Sequence, residues 1–555
     1  MSIPISFSTG CRSKHHTTNG LLRRLVRVAN SFARRRVLAC TSVAGAALLI
    51  RLLLLPINPI PHPRIHDEFS YLLGADTFAS GSVTNRSHPL WHFFETFHVL
   101  SVPTYASKYP PGQALVLAFG QIVFGHPWFG VWLSVGIMAG VLCWMLQGWV
   151  PPGWALLTGL VAMFRLTFHG DWMNSYWGGA VAAIGGALVI GAYPRVVFKH
   201  RIGYVWAFWS GAIILINSRP FEGALLVLPS ALALLRWMFG SSHSTRRVRL
   251  CLVLGSGALL LCGAGVAMGY QNWRTTGSPW RLPYLEYEHQ YSASPLLIFG
   301  RERQPPVYRN DLMRRYYAEI SSDFGFQRSL QGGLEKLSEF SHTLRYFLGP
   351  FLMLPLVFIF KALHRRRVRL PSICIVVGMV GLAVEPFHRP QYAAPFVGAL
   401  FVLWAESARQ FRLWSWRGRQ VGLALICSLV TLSLLLGILQ AVGPHRNFFG
   451  QHGPHPLDRR PAIEAELLRA GGSHIIFVRY AATHSVHEEW VYNRARIDQS
   501  SIVWARDLGV VENLRLLSYF SHRTAWILEP DVQPTRLRPY LLQGAGQRQL
   551  QIPRD

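Results

Sequence analysis

The sequence predicts a polytopic α-helical membrane protein that ends in a soluble α/β domain, and three observations lead to this fold class. Half of the 555 residues are hydrophobic and only 15% are charged, against roughly 25% charged residues in an ordinary soluble chain. Apolar runs recur between residues 37 and 441. After residue 442 the composition becomes that of a soluble domain. An ordinary cytosolic enzyme is therefore excluded.

Basic residues predict how the chain enters the membrane. The net charge of +28 could indicate nucleic-acid binding, but the apolar runs between the basic clusters are too long for that class. Residues 1–36 form a basic N-terminal segment, and the first apolar run, Val37–Ile57, follows it. This run would cover roughly 31 Å as a helix and span the bilayer. Because a cleavable signal peptide would start sooner, we expect an uncleaved signal anchor with a cytoplasmic N-terminus.

The membrane domain, residues 37–441, is predicted to cross the membrane about 11 times, with a range of 11 to 13. The candidate crossings are residues 37–57, 127–149, 153–168, 177–194, 204–217, 220–239, 249–270, 344–362, 370–385, 391–407 and 420–441. Positive loops such as 364–369 are expected in the cytoplasm. The loops 58–110 and 272–342 then face outward, and Pro110–Phe124 is expected to be re-entrant or interfacial. A bacterial-type inner (plasma) membrane is the expected location.

The tail, residues 442–555, has 14 arginines, no lysines and 11 acidic residues, a composition typical of a soluble domain outside the membrane. Alternating patterns predict a small α/β unit with a parallel sheet. The predicted elements are a helix over 462–470, strands over 474–480 and 502–505, a helix over 511–522 and a strand over 525–528.

The cysteine and histidine patterns do not predict a metal site. Six of the seven cysteines lie in or beside apolar stretches, and there is no CxxC pair, which argues against a disulfide framework and a zinc site. His474, His484 and His487 are interpreted as scattered surface histidines. Glu488-Glu489-Trp490 is interpreted as an exposed turn or part of an acceptor groove. No cofactor is firmly implied, and a divalent metal lacks support.

The first outer loop holds the main candidate for chemistry. It contains His66-Asp67-Glu68 and ends with Lys108-Tyr109-Pro110. Adjacent carboxylates at a membrane surface are costly unless a cation, a hydrogen-bond network or a reacting proton uses them. In the alternative interpretation, Asp67 caps the following helix and Glu68 lies in its first turn.

Further outward turns also combine acids, bases and aromatic residues. Any one of them could hold side chains that merely snorkel, but four such turns on one side favour a shared site. Cations there could hold the phosphate of a lipid carrier, while a carboxylate takes a proton from an acceptor that attacks a sugar. The additional candidates for substrate and donor-phosphate binding are Tyr71, Asp171, Arg219, Glu222, His388, Arg389 and Tyr392.

The first loop carries a resemblance to a known family. Asp67-Glu68, then Tyr71, then a Lys108-x-Pro110-Pro111 element that opens an apolar helix, resembles the GT-C glycosyltransferases of the protein O-mannosyltransferase and lipid A aminoarabinose transferase type. The resemblance implies a GT-C-like fold for residues 37–441, with Asp67 as catalytic base, Glu68 in support and Lys108 on the carrier phosphate. Tyr109, between the lysine and the prolines, departs from the family pattern.

The resemblance also implies the outer domain and the activity. Asp171 is the positional candidate for the family's acidic residue in the second outer loop, and the tail resembles the soluble outer domain that some members carry. The expected function is transfer of a hexose or pentose from a polyprenyl-phosphate carrier to a protein, glycan or lipid acceptor, in contact with membrane lipids. The alternatives are a transporter or flippase of lipid-linked envelope precursors and a noncatalytic assembly component. A transporter would more often show a two-fold repeat.

Overall fold

The computed structural model describes residues 24, 27–169, 171–240, 243–387, 389–419, 421–442, 455–532, 535 and 537–540. Most of the basic N-terminal segment, the start of the tail and His388 lie outside these described residues. The membrane domain is mostly helical. Its helices are α1 Arg36–Leu53, α2 His66–Ala79, α3 Pro111–Phe124, α4 Trp128–Trp149, α5 Pro152–Phe164, α6 Ala180–Val197, α7 Val205–Ile216, α8 Pro220–Phe239, α9 His243–Thr276, α10 Pro283–Tyr291, α11 Asp311–Gln327, α12 Leu330–Leu352, α13 Ile359–Leu363, α14 Arg369–Val384, α15 Val397–Phe411 and α16 Val421–Val442.

Within the described residues, seven helices are long and apolar enough to cross a membrane, or eight if one bent pair counts as a span. The seven are Arg36–Leu53, Trp128–Trp149, Ala180–Val197, Pro220–Phe239, Arg246–Thr276, Arg366–Val384 and Val421–Leu439. Other predicted crossings form shorter apolar helices, including Pro152–Phe168 and Ile202–Ile216. The number of 11 crossings therefore stays a prediction.

The helix α3 is too short to span. Its 14 residues cover about 21 Å, and a hydrocarbon core is about 30 Å thick. A close glycine contact fixes it against α4, since a Cβ added to Gly120 would lie 2.2 Å from the backbone nitrogen of Gly130. The position of α3 against α4 thus depends on these two glycines.

A sharp break divides the predicted crossing 344–362. Gly349 has a φ of 71° inside α12, a conformation that favours glycine. Just after it, at the end of α12, the axes of Leu330–Leu352 and Leu354–Leu363 differ by 100°. A helix end leaves carbonyl groups without partners. The Arg165 guanidinium supplies donors, with 3.2 Å to the carbonyl of Phe347 and 2.9 Å to that of Tyr346.

The first outer loop folds around a small antiparallel sheet that the sequence pattern did not predict. Its strands are β1 Asn85–Arg86, β2 Val99–Leu100 and β3 Thr104–Ser107, in the order β1-β3-β2. The end of β3 leads through Lys108 into α3. The sheet therefore brings the two ends of the loop, at α2 and at Lys108, next to each other.

The tail confirms the predicted α/β pattern with one correction. Its elements are α17 Arg460–Ala470, β4 His474–Val478, β5 Ile502–Arg506, α18 Val510–Tyr519, β6 Thr524–Leu528 and β7 Leu537–Pro539. The sheet order is β5-β4-β6-β7, and β4 pairs parallel with both β5 and β6. The strand β7 pairs antiparallel with β6, so the sheet is mixed. Only eight residues separate β6 from β7, fewer than a parallel connection needs.

The tail packs directly on the first outer loop. Apolar side chains of both parts form one buried cluster. Within it, the rings of Phe69 on α2 and Tyr492 in the tail stack with centroids 4.2 Å apart. The two regions therefore share a hydrophobic core.

Two expectations for the tail are wrong in part: His487 is exposed, but the other two histidines are not, and Glu488-Glu489-Trp490 is not an exposed turn. His474 and His484 are buried, because His474 bonds backbone carbonyls and His484 bonds Asp531. Glu489 is fully buried and pairs with Arg506, so it lies in no exposed turn. A buried carboxylate requires such a partner.

Candidate active site

Asp67 lies in the first turn of α2 and faces a partly open cleft. Its Oδ1 accepts a hydrogen bond from the hydroxyl of Tyr109, and its Oδ2 lies 4.0 Å from Nε2 of His98. The residue at the N-cap position is Ile65, and α2 has no side-chain cap bond there. The interpretation of Asp67 as a helix cap is therefore wrong. Its carboxylate is left available for chemistry.

Glu68, in contrast, points away from the cleft into the protein. Its Oε2 accepts hydrogen bonds from the backbone N–H groups of Arg64 and Ile65, at 2.8 and 3.3 Å, and its Oε1 accepts one from Tyr176 at 2.9 Å. Burial raises the pKa of this carboxyl to about 7, although these backbone donors lower it. The contacts tie α2 to the segment after α5. This geometry favours a role in positioning the loop over contact with an acceptor.

Lys108 occupies an aromatic cage. Its Nζ lies 2.9 Å from Oε1 of Glu288 on α10 and within 5 Å of the ring centroids of Tyr284 and Tyr287. The Tyr109 ring lies slightly farther away, at 5.4 Å. The lysine is only 5% exposed, so its charge is already balanced by Glu288. An anion can bind this ammonium group only by taking the place of that carboxylate.

Arg219 has a similar arrangement at the start of α8. Its Nη1 lies 3.4 Å from Oε1 of Glu222, and its guanidinium stacks over the ring of Tyr392 at 4.4 Å. Arg219, Asp67 and Glu222 all lie close enough to the Tyr392 hydroxyl to act on it electrostatically, and so does Glu385.

Tyrosine side chains connect these charged groups into one site. Tyr71 stacks on Tyr109 with ring centroids 4.5 Å apart, and Tyr109 lies 6.3 Å from Tyr284. We call the space bounded by Tyr71, Tyr109, Tyr284 and Tyr392 the tyrosine cleft. The structure thus brings together the predicted residues Asp67, Tyr71, Lys108, Arg219, Glu222 and Tyr392.

Helix ends add to the electrostatics of the tyrosine cleft. Asp67 lies in the first turn of α2, Lys108 precedes α3 and Arg219 precedes α8. Helix N-termini carry partial positive charge. The arrangement therefore favours an anion beside the two cations, with the partly exposed carboxylate of Asp67 left for a proton.

Three predicted residues lie elsewhere or outside the described part of the chain. Asp171 is half-buried beside α12, where its backbone N–H donates to the Tyr346 hydroxyl at 3.2 Å; desolvation raises its pKa to about 6. Arg389 is exposed and acts electrostatically on Asp323 and Glu339. His388 lies outside the described residues.

Sequence reasoning missed several residues of the site, and two of them, His98 and Glu288, lie beside the predicted Asp67 and Lys108. His98 has a φ of 61° and is buried, and its Nδ1 has no hydrogen-bond partner among the described residues. Glu288 comes from the long outer loop, 180 positions after Lys108. No local pattern connects either residue with Asp67; only the density of tyrosines and acids in 284–291 was a signal. Among the described residues, no group of three or more His, Cys, Asp or Glu side chains is arranged to hold a metal ion.

Comparisons with known proteins give distant structural similarity. No family model and no curated protein matches the sequence. Among solved structures, ArnT from Cupriavidus metallidurans in the apo state has 13% identity and a TM-score of 0.49, covering 88% of this chain and 93% of that chain. The same protein bound to undecaprenyl phosphate has 13% identity and a TM-score of 0.49, covering 87% of this chain and 92% of that chain.

An oligosaccharyltransferase from Archaeoglobus fulgidus, in complex with Zn and sulfate, has 11% identity and a TM-score of 0.48, covering 88% of this chain and 67% of that chain. ArnT and this oligosaccharyltransferase are both GT-C glycosyltransferases, the class that the first outer loop resembles. Similarity at this level carries no inference about activity, which has to come from the site.

Proposed function

We propose that the protein is an integral-membrane glycosyltransferase that moves a sugar from a polyprenyl-phosphate carrier to an acceptor at the outer face of the membrane. One observation carries the proposal: a partly exposed carboxylate, Asp67, shares the tyrosine cleft with Lys108 and Arg219, at the ends of membrane helices. Two cations suit a lipid-linked phosphate, and the carboxylate suits a proton transfer.

The proposed reaction is a single inverting displacement. The acceptor oxygen forms a bond to the anomeric carbon while the bond from that carbon to the carrier phosphate breaks. Asp67 takes the proton of the acceptor hydroxyl, and the electron pair of the broken bond leaves on the phosphate. Lys108 and Arg219 hold the phosphate as its charge increases, which stabilises the leaving group.

Tyr109 and Glu68 orient the base in this proposal. The Tyr109 hydroxyl donates to one oxygen of Asp67 and leaves the other free to accept a proton. Glu68 holds the first turn of α2 through backbone donors. A base must lie within hydrogen-bond reach of the proton that it removes, so both residues act on rate through the position of Asp67.

We also propose that the tyrosine cleft faces the outer side of a bacterial-type inner (plasma) membrane, with the N-terminus in the cytoplasm. The arginine-rich loops support this orientation. Arg366 and Arg367 lie at the opposite ends of the membrane helices from Arg219, because α8 begins beside Arg219 and α14 ends near Glu385 of the same cleft.

The test is release of polyprenyl phosphate by the purified protein from a panel of polyprenyl-phosphoryl hexoses and pentoses. We expect Asp67→Asn to lower the rate by roughly 100-fold to 10,000-fold, the usual contribution of a positioned general base, and to keep carrier binding. Asp311→Asn is the matched control, because this exposed carboxylate pairs only with Arg314 and Arg315. A parental rate for Asp67→Asn would refute the assignment of the base.

A further inference from the structure

A second cavity system lies on the outer surface, apart from the tyrosine cleft. Two adjoining cavities of about 330 Å³ and 170 Å³ both have Glu95 and Arg309 in their walls, and we call them together the outer groove. Its walls come from the first outer loop, the long outer loop and the tail. The combined volume is within the range of a small-ligand site.

Glu95 is the central polar group of the outer groove. The residue is only 5% exposed, and its Oε1 accepts a hydrogen bond from the Tyr291 hydroxyl at 2.9 Å. Burial raises the pKa of this carboxyl. A buried carboxyl group is costly unless it is hydrogen-bonded or paired, and this one borders both cavities.

Two donors stand beside this acceptor. Asn310 uses its Oδ1 to cap α11 through the N–H of Leu312, and its Nδ2 is buried without a partner in the described part of the chain. The guanidinium of Arg309 stacks over the ring of Trp91 at 5.0 Å and forms no ion pair with the described residues. The groove therefore presents a carboxyl group, an exposed guanidinium and, in the Nδ2 of Asn310, a buried donor without a partner among the described residues.

These groups define the chemistry of the ligand. The arginines Arg506 and Arg515 in the walls are already paired, with Glu489 and Glu512. Of the remaining charged groups, the Glu95 carboxyl disfavours an anion, and the Arg309 guanidinium disfavours a cation. A neutral molecule with several hydroxyl groups matches both, because each hydroxyl donates and accepts. Aromatic and apolar side chains of Trp91, Tyr308 and Met313 line the second cavity and suit the C–H faces of sugar rings. We propose that the outer groove binds a neutral saccharide chain.

The position of the groove gives this saccharide a role. The helix α10 carries Tyr284 and Glu288 on the side of Lys108, and Gln290 and Tyr291 on the side of the groove. The groove and the tyrosine cleft thus share one wall. Resting on the proposed function, the inference is that the acceptor is a glycan, whose remote sugar units lie in the groove.

The experiment is saturation-transfer NMR on the purified full-length protein in nanodiscs. The probes are methyl glycosides and disaccharides of mannose, galactose, glucose and arabinose, with inorganic phosphate and ethanolamine as the charged alternatives. We expect transfer to at least one neutral saccharide. Glu95→Gln and Arg309→Ala should each weaken it about tenfold, the effect of losing a hydrogen bond to a charged group.

Controls separate this proposal from the proposed function. Glu302→Gln and Arg301→Ala change exposed charges of the same outer loop and should leave saccharide binding unchanged. Lys108→Ala should weaken carrier binding only. Transfer to none of the saccharides, or to phosphate or ethanolamine alone, overturns the saccharide site, as does binding that neither groove variant weakens. If the parent protein binds saccharide but does not bind the carrier, only the proposed function is refuted.

Discussion

Glu288→Gln should make the protein bind a polyprenyl phosphate more tightly. Glu288 is the resident counter-ion of Lys108, with Oε1 and Nζ 2.9 Å apart and side chains that are 17% and 5% exposed. A carrier phosphate must exchange with this carboxylate to reach the ammonium group. The substitution keeps the size of the side chain and an oxygen acceptor, and it removes the competing negative charge.

The magnitude follows from the hydrogen bond that the phosphate has to displace. A hydrogen bond to a charged group contributes about 1.5–3 kcal/mol. The bond between Glu288 and Lys108 joins two charges and belongs at the upper end of this range, whereas a glutamine oxygen that accepts from the ammonium group belongs at the lower end. The substitution therefore lowers the cost of exchange by about 1–1.5 kcal/mol, which corresponds to about tenfold in affinity. Because both partners are largely buried, this ion pair contributes more stabilisation than an exposed ion pair does.

The assay is equilibrium binding of a short-chain polyprenyl phosphate to the protein in nanodiscs. Glu286→Gln is the matched control, because Glu286 is on the same helix and pairs with Arg281 rather than Lys108. Lys108→Ala should weaken binding, because the phosphate is expected to reach this site. Unchanged or weaker affinity for Glu288→Gln, with tight parental binding, would refute the exchange.

Three further predictions test the base, the loop and the topology. Tyr109→Phe should lower the transfer rate about tenfold through loss of one charged hydrogen bond, and a parental turnover rate would contradict its role. Burial lowers the pKa of His66 to about 3; because the unfolded histidine gains its proton near 6.5, stability should fall by about 2 kcal/mol between pH 7 and pH 5. Denaturant unfolding of His66→Gln should show a smaller loss of stability over the same pH range. Cysteines at 90 and 500, in a chain otherwise free of cysteine, should react with an impermeant reagent on intact cells, whereas reaction at 367 would overturn the orientation.

The sequence predicted those parts of the fold that local patterns determine. Apolar runs located the helices of the membrane domain, and alternation located the strands of the tail to within a few residues. The pair Asp67-Glu68 was identified from its cost at a membrane surface. The two carboxylates have different roles, however, because the turn after α5 brings the N–H of Tyr176 to Glu68.

The parts that were missed depend on contacts between distant residues. Glu288 meets Lys108, and Tyr291 meets Glu95, only because α10 packs against the first outer loop. The break at Gly349 could not be placed, since glycine is common in membrane helices. Tyr109 was visible in the sequence as a departure from the family pattern, and its contact with Asp67 required the fold.

Three consecutive residues at the start of α2 explain how the proposed base is fixed. In a helix, successive side chains point about 100° apart. His66 points to the tail, where its Nε2–H donates to the carbonyl of Val486 at 3.0 Å and its Nδ1 accepts from the Tyr492 hydroxyl at 2.8 Å. Glu68 points into the membrane domain. Asp67, between them, faces the tyrosine cleft.

This arrangement makes the tail part of the proposed catalytic unit. The Arg64–Asp458 ion pair, at 2.8 Å, joins the segment just before α2 to the tail. Near the end of α2, Asp76 accepts a hydrogen bond from the N–H of Ala495 in the tail. A rotation of α2 that moved Asp67 would have to break the His66 contacts on one side and the Glu68 contacts on the other. Catalytic groups need to be held to within a fraction of an ångström. The tail and the membrane domain therefore orient the base from opposite sides, and neither can do so alone.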